Sequence, residues 1–335
     1  MKKIINDPAD CARDALVGYL QQNPGLFKPV EGVLGYVREG SFSKAAVLVG
    51  GGSGHDPMFT SFVGPGMADA LINGQIFASP DPMSILEVIK AANENCGGNG
   101  VLLLYGNYAG DNLNFGMAKE LAEMEGIKVK IVTVREDAAS APRERRDDRR
   151  GTAGDVFAMK IAGAASDLGY NLEELAAVAE KAVENMASVA IALGPGSLPG
   201  KDPNFSLAED EIEFGIGIHG EPGIRREKIA PADQLTQNMM SLLIGDLGLK
   251  KGDNVCLLFN SLGATTLMEL NIMSIKAHKM LEEMGISVYD ADSAHFCTTQ
   301  EMAGASITIM KLDDELKKLY DIPALTPVYH KNIKL

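Results

Sequence analysis

The sequence predicts an α/β protein of two domains. The N-terminal domain is expected to be a three-layer α/β/α unit with a mainly parallel sheet, and the C-terminal domain an α/β unit with a mixed sheet. Three observations carry this reading. The 335 residues are 46% hydrophobic and 23% charged, which supplies one large core or two smaller ones and argues against a disordered chain. Short β-rich runs alternate with stretches of helical spacing along the chain. Those runs are apolar throughout, as strands covered on both faces of a parallel sheet are.

In order, residues 45–50 (AAVLVG), 75–79 (QIFAS), 100–106 (GVLLLYG) and 129–134 (VKIVTV) read as strands. Residues 83–95 and 114–126 between them have helical spacing. The dense charges of 135–154, REDAASAPRERRDDRRGTAG, read as a solvated loop, with a docking surface for an acidic partner as the functional alternative. Helices follow at 154–169 and 171–187, and Asn171 is placed to cap the second. Strands resume at 188–194, 214–220, 254–260, 286–291 and 306–312, with helices at 232–247 and 264–285. The last strand follows its predecessor so closely that a mixed or antiparallel arrangement is expected there. The domain boundary falls near 185–190, giving domains 1–186 and 187–335.

Composition excludes several classes of function. A formal net charge of −14 opposes nucleic acid as a partner. No apolar run approaches the roughly 20 residues a membrane span needs. The start, MKKIINDPAD, lacks the apolar core of a signal peptide, so a cytoplasmic protein is expected. Cys11, Cys96, Cys256 and Cys297 are far apart and form no CxxC pair, which suggests neither a zinc site nor a disulfide framework. No HExxH or clustered ligand spacing points to a catalytic metal, and no GxSxG elbow to a serine hydrolase.

Three stretches carry candidate chemistry. GGGSGHDP, residues 50–57, follows a strand but has neither the lysine of a Walker loop nor the GxGxxG spacing. Its glycines permit a tight turn and close backbone approach by a small ligand, with His55 at the ligand-binding end of the strand. The plain alternative is a glycine turn with an incidental surface histidine. GVLLLYGNYAGD (100–111) is a second strand and glycine turn, ending on Asp111, which orients His55, bonds a substrate hydroxyl or caps the next helix. FGIGIHGEPGIRR (214–226) brings His219 to a turn; the alternative there is a bulge with a surface histidine. His295 is a minor candidate. His278 lies in a helical pattern and His330 near the end. Two histidines and an aspartate near small-ligand loops suggest proton transfer on a polar small molecule.

These pieces, with FASPDP (77–82), DDRRGTAG (147–154), NSLGAT (260–265) and CTTQEMAGASITIMKLDDE (297–315), together resemble the substrate-binding subunit of dihydroxyacetone kinases. They stand in family order and span essentially the whole chain. The resemblance implies a homodimer in which a second-domain histidine, His219 here, attacks the ketone of dihydroxyacetone to give a covalent hemiaminal. Gly52, Ser53, Gly54 and His55 would bind substrate, His55 would act as catalytic base, and Asp111 would bond and help activate a substrate hydroxyl. Two positions depart from the family pattern. Asp56 stands where many members have glutamate. Gly106 stands where many have a lysine lining the substrate pocket, a loss expected to open space, remove a charge and favour a somewhat different ketose such as erythrulose.

The resemblance also implies no metal or cofactor on this chain. Mg-ATP or Mg-ADP is expected on a separate, helical nucleotide-binding subunit, because the all-helical domain of single-chain kinases does not occur within the 335 residues. The phosphate comes either from ATP or from a phosphotransferase-system donor that recharges bound ADP. The alternative within the family is a non-catalytic ketose sensor that co-activates a transcription regulator. A fatty-acid-binding protein of related fold fits two histidines and an aspartate poorly.

Overall fold

The computed structural model describes residues 2–333. In chain order the elements begin with α1 (Cys11–Gln22), β1 (Phe27–Pro29), β2 (Gly35–Arg38), β3 (Ala46–Ser53), β4 (Ala70–Ile76), α2 (Pro82–Asn95), β5 (Val101–Gly106), α3 (Ala109–Met124) and β6 (Val129–Val134). A 3-10 turn at Arg143–Asp148 leads to α4 (Asp155–Asp167), α5 (Leu172–Glu184), β7 (Met186–Gly194), β8 (Glu211–Phe214) and β9 (Arg225–Lys228). The remainder is α6 (Ala232–Leu247), β10 (Asn254–Ser261), α7 (Leu267–Glu283), β11 (Ser287–Ala294), β12 (Ala303–Leu312), α8 (Asp314–Tyr320) and the short strands β13 (Ala324–Leu325) and β14 (His330–Lys331).

The chain divides into two units, each discontinuous in sequence. The first is built from Lys3–Val134, Asp155–Ala182 and the chain from Leu316 onward; the second from Arg135–Gly154 and Val183–Glu315. The expected single cut at 186/187 is therefore too simple. The charged stretch 135–154 packs with the later residues, and the last residues return to the first unit.

The first unit holds a six-stranded sheet in the order β1-β2-β4-β3-β5-β6. β4, β3, β5 and β6 run parallel, while β1 and β2 add an antiparallel edge. Every residue of β5 is buried, as are the first six of β3, which is what helices on both faces require. Helix α2 starts sharply because Asp81 accepts hydrogen bonds from Met83 N (3.1 Å) and Ser84 N (3.0 Å), and Pro82 presets the first turn. Asn171 caps α5 as expected: its Oδ1 accepts from Glu173 N and Glu174 N, and Glu174 reaches back to Asn171 N.

The second unit holds a mixed sheet in the order β11-β10-β12-β7-β8-β9, with only β11/β10 parallel. β12 is antiparallel to both neighbours, as its short separation from β11 suggested. Thr266 and Glu269 form a reciprocal capping box at the start of α7. Two expected strands move. The strand near 75–79 is really Ala70–Ile76, and Phe77 lies in the turn after it. The strand expected at 214–220 ends at Phe214, because Gly215 and Gly220 take left-handed φ values of 86°. Cys96, Cys256 and Cys297 are buried and Cys11 half-buried, with no disulfide among the described residues. No helix among the described residues is long and apolar enough to cross a membrane.

Candidate active site

In the first unit the loops after β4, β3 and β5 leave the same end of adjacent parallel strands, the carboxyl end at which α/β sheets bind ligands. The glycines of the first loop serve the chain's own packing before they serve a ligand. A Cβ on Gly50 would stand 2.1 Å from Ile72 O, and one on Gly52 would stand 2.7 Å from Ala78 N. Gly54 takes φ +96°, open mainly to glycine. Ser53 donates from Oγ to Gly74 O (2.6 Å), and Phe77 N donates to Ser53 O (2.9 Å), tying the loop to the β4 turn.

His55 is only 2% exposed, which excludes an incidental surface histidine. Its ring stacks on Phe77, centroids 4.7 Å apart and planes 19° apart. Phe77 takes a left-handed φ of 58°, uncommon for an aromatic residue, in the turn that presents this ring. Asp56 is exposed and precedes a cis Pro57.

Asp111 is not the cap of α3. The N-cap is Tyr108, and Asp111 sits in the first helical turn, where the helix dipole favours a carboxylate. Burial first, and the nearby Asp111 charge second, push the Tyr105 hydroxyl well above its ordinary pKa. Ser79, from FASPDP, comes close to Gly110: a Cβ on Gly110 would lie 3.6 Å from the Ser79 Cβ. Gly106 does not leave the open space expected of it. A Cβ there would meet the Tyr108 ring at 3.3 Å and Asp155 Oδ2 at 3.6 Å, so a longer side chain would start against an aromatic ring and beside a carboxylate.

His219 belongs to the second unit, in the loop between β8 and β9, with its side chain 25% exposed. Glu221 grips it twice. His219 Nδ1 lies 2.9 Å from Glu221 Oε1, and His219 N donates to Glu221 Oε2 at 2.9 Å. Burial alone would raise the Glu221 pKa, but the hydrogen bonds and charge of His219 outweigh it and hold the carboxyl at about 2. An ionised carboxylate can only accept, so the proton between them sits on Nδ1, and whenever the ring is neutral its lone pair is on Nε2.

The loop is anchored on both sides. Asn204 Nδ2 donates to His219 O (3.1 Å), and Thr299 Oγ1 donates to Ile218 O (2.7 Å). Asn260, from NSLGAT, accepts from Phe296 N and Cys297 N and donates to Cys297 O, which fixes the CTTQEM segment that carries Thr299. These two motifs are scaffold for the His219 loop. The minor candidate His295 has Nε2 3.0 Å from Gly263 O, and His278 has Nδ1 2.8 Å from Ser274 O. Among the described residues no group of three or more His, Cys, Asp or Glu is arranged to hold a metal ion.

The charged stretch is only partly a solvated loop: residues 142–145, 147 and 148 are exposed, while its other arginines are buried or half-buried in ion pairs. Arg149 is fully buried, with Nη1 and Nη2 on the two oxygens of Asp246 at 2.9 and 2.5 Å. Arg146 pairs with Glu184 at 2.6 Å.

Residues 17–328 match the model of the Dak1 domain. The chain belongs to the Dak1 domain family. Among Dak1 proteins it is 40% identical over 317 residues to the PTS-dependent dihydroxyacetone kinase 1, dihydroxyacetone-binding subunit DhaK, of Listeria innocua serovar 6a, covering 94% of this chain and 95% of that protein. It is 37% identical over 332 residues to the D-erythrulose kinase of Mycolicibacterium smegmatis, covering 99% of this chain but 57% of that longer Dak1 protein. The solved structure of the dihydroxyacetone kinase operon co-activator Dha-DhaQ matches with a TM-score of 0.86 at 29% identity, over 93% of this chain and 96% of that one. The two six-stranded α/β sheets are those of the dihydroxyacetone kinase substrate-binding fold, and the family relatives are subunits and domains of ketose kinases.

Sequence reasoning missed Glu221 and Phe77. Glu221 was visible, as a carboxylate two residues from the histidine in HGEP, the pattern of a group that orients an imidazole. Phe77 opens the FASPDP motif, but its stacking on His55 depends on the left-handed turn after β4.

Proposed function

We propose that this chain is the substrate-binding subunit of a kinase for dihydroxyacetone or a closely related short ketose. The observation that carries the reading is the His219–Glu221 pair. With the Nδ1 proton held by an ionised carboxylate, Nε2 is the nitrogen that attacks the ketone. A C–N bond forms, the carbonyl π pair moves to oxygen and takes a proton from water, and the positive charge on the ring is offset by Glu221. The hydroxide so formed takes the Nδ1 proton and becomes water again, which leaves a neutral hemiaminal with no water expelled. Capture at the carbonyl selects ketones over glycerol and fixes the hydroxyl to be phosphorylated, a gain from orientation. Gly52, Ser53 and Gly54 border the substrate, Asp111 bonds its hydroxyl, and His55 accepts the proton as phosphate arrives.

The nucleotide and Mg²⁺ are carried by a separate helical subunit in this reading, and the subunit described here acts as a cytoplasmic homodimer. The name of the Listeria relative supports a phosphotransferase-system donor. The erythrulose kinase relative supports a four-carbon ketose as the alternative substrate. The likeness to a co-activator favours one second reading, a ketose sensor without phosphotransfer.

The test is an intact-mass spectrum under gentle conditions after incubation with dihydroxyacetone, erythrulose or glycerol, alongside His219→Ala. A ketose-specific adduct of whole-sugar mass, absent from glycerol and from the variant, is expected. No adduct together with no ketose binding by calorimetry sinks the proposal. Ketose-dependent binding to a regulator, without turnover by any nucleotide-binding subunit, would establish the sensor.

A further inference from the structure

The stretch 135–154 has no part in the chemistry above, yet it reaches the root of the His219 loop. Arg150 is its last arginine, with a side chain 13% exposed. Its Nε donates to Asp137 Oδ2 at 2.9 Å, its Nη2 lies 2.7 Å from the same oxygen, and Nη2 also donates to Gly215 O at 3.0 Å. Asp137 is in turn fixed: Oδ1 accepts from Ala139 N at 3.0 Å, and its main-chain N–H donates to Arg150 O at 3.1 Å. The guanidinium therefore stands on a rigid base and grips the first residue of the loop.

Two residues further on, Gly217 reports what the other end of the guanidinium does. A Cβ on Gly217 would lie 2.5 Å from Arg150 Nη1 and 2.1 Å from Glu221 Oε2. The two groups crowd one face of the same Cα, near enough for direct Coulombic attraction. Gly217 N donates to Glu221 O at 3.0 Å, closing the loop beneath them. The carboxylate that holds His219 thus has a fixed positive charge beside it.

We infer that the Asp137–Arg150 pair positions His219 for ketose capture, Arg150 acting through Gly215 and Glu221 without touching the ketose. A buried ion pair contributes little net stability by itself. Here it sets direction: the guanidinium draws the Glu221 carboxylate over Gly217, where both oxygens reach His219. Arg150 is a positioning residue, and glycine is required at 217 because any side chain would separate the two groups. The inference rests on His219 being the capturing residue.

Removing Arg150 alone would strand the Asp137 charge in the interior, so the variant to make is the double Asp137→Asn/Arg150→Met, which removes both charges. Two readouts are taken on the full chain: dihydroxyacetone affinity by calorimetry, and the His219 Nδ1 proton in a ¹H–¹⁵N NMR spectrum, which needs no ligand. The expected result is affinity lower by about tenfold or more, the loss of one charge-assisted hydrogen bond, together with loss of the Nδ1 resonance. Arg150→Lys keeps the charge but cannot fork to Asp137 and Gly215 together, and recovers only part of the affinity. Wild-type affinity and a retained Nδ1 resonance in the double variant overturn the inference. If wild type binds no ketose, the proposed function fails and the capture role falls with it; loss of the Nδ1 resonance in the double variant then still supports the positioning of His219 by Arg150, and its persistence overturns that as well. If the double variant does not fold, Gly217→Ala wedges the same two groups apart and is read in the same way.

Discussion

At His219 the decisive neighbour is a carboxylate that the reading of the sequence passed over. Glu221 has its pKa lowered to about 2. A depressed carboxyl stabilises the fold above its ordinary pKa, and that contribution is lost as pH falls through the folded value. Glu221→Gln should therefore melt lower than wild type throughout pH 7 to about pH 5, the margin narrowing only below that. Melting curves of both proteins across the range check it, and a margin that closes already between pH 7 and pH 6 contradicts the assignment. If capture belongs to His219 as proposed, His55→Ala should keep it, while phosphotransfer with a nucleotide-binding subunit falls by two orders of magnitude or more, the usual worth of a general base. Adduct mass and turnover measured side by side separate the two histidines. His55, Asp111 and His219 stood out in the sequence because titratable groups beside glycine turns are few. Their surroundings did not, since the burial of His55 against Phe77 and the shift of the α3 cap to Tyr108 depend on turns that pattern alone does not fix.

Elements were legible where their period was strong. VKIVTV and the helix 232–247 match β6 and α6 residue for residue. The short strands β1, β2, β9, β13 and β14 were not foreseen, because strands of two to four residues carry too few side chains to show alternation. The glycine loop was read as room for a sugar, and the structure gives part of those glycines to strand packing instead. That predicts a contrast between two glycines. Gly50→Ala should destabilise by about 2–3 kcal/mol, because its Cβ meets the Ile72 carbonyl at 2.1 Å and backbone cannot easily yield. Gly116→Ala, inside α3 with nothing within 4 Å of the added carbon, should stabilise by about 0.5–1 kcal/mol. Urea denaturation of both variants checks the signs, and equal effects would show that the close approach at Gly50 is not real.

For the whole molecule, the alternation of β-rich and helical segments predicted two α/β units with different sheets, and that is what forms. A single sequence cut did not describe them, since the charge of 135–154 hid Arg146, Arg149, Arg150 and Asp137, which pack within the second unit. At this scale the proposed division of labour is itself testable. The purified chain with Mg-ATP should leave dihydroxyacetone unphosphorylated, and adding a nucleotide-binding subunit should start turnover. With that subunit present, rates should fall as pH drops from about 8 to about 5, where imidazoles ordinarily gain a proton and lose their power to attack or to accept. Robust phosphorylation by the chain alone would contradict that division of labour, and a flat profile would contradict the roles assigned to the two histidines.

The return of the last residues to the first unit has a consequence for how the protein comes into being. Leu325 N donates to Pro65 O at 2.9 Å, Gly64 leaves room for the Leu325 carbonyl where a Cβ would stand 2.2 Å away, and Lys160 Nζ donates to Leu319 O at 2.9 Å. The segment between His55 and β4 is thus braced by residues that a ribosome makes some 260 positions after it. During synthesis the first unit waits, its Gly64–Pro65 turn without its brace, while the whole of the second unit emerges. Ordering of the Gly64–Pro65 turn is then a late event of biogenesis, set by residues 319–325.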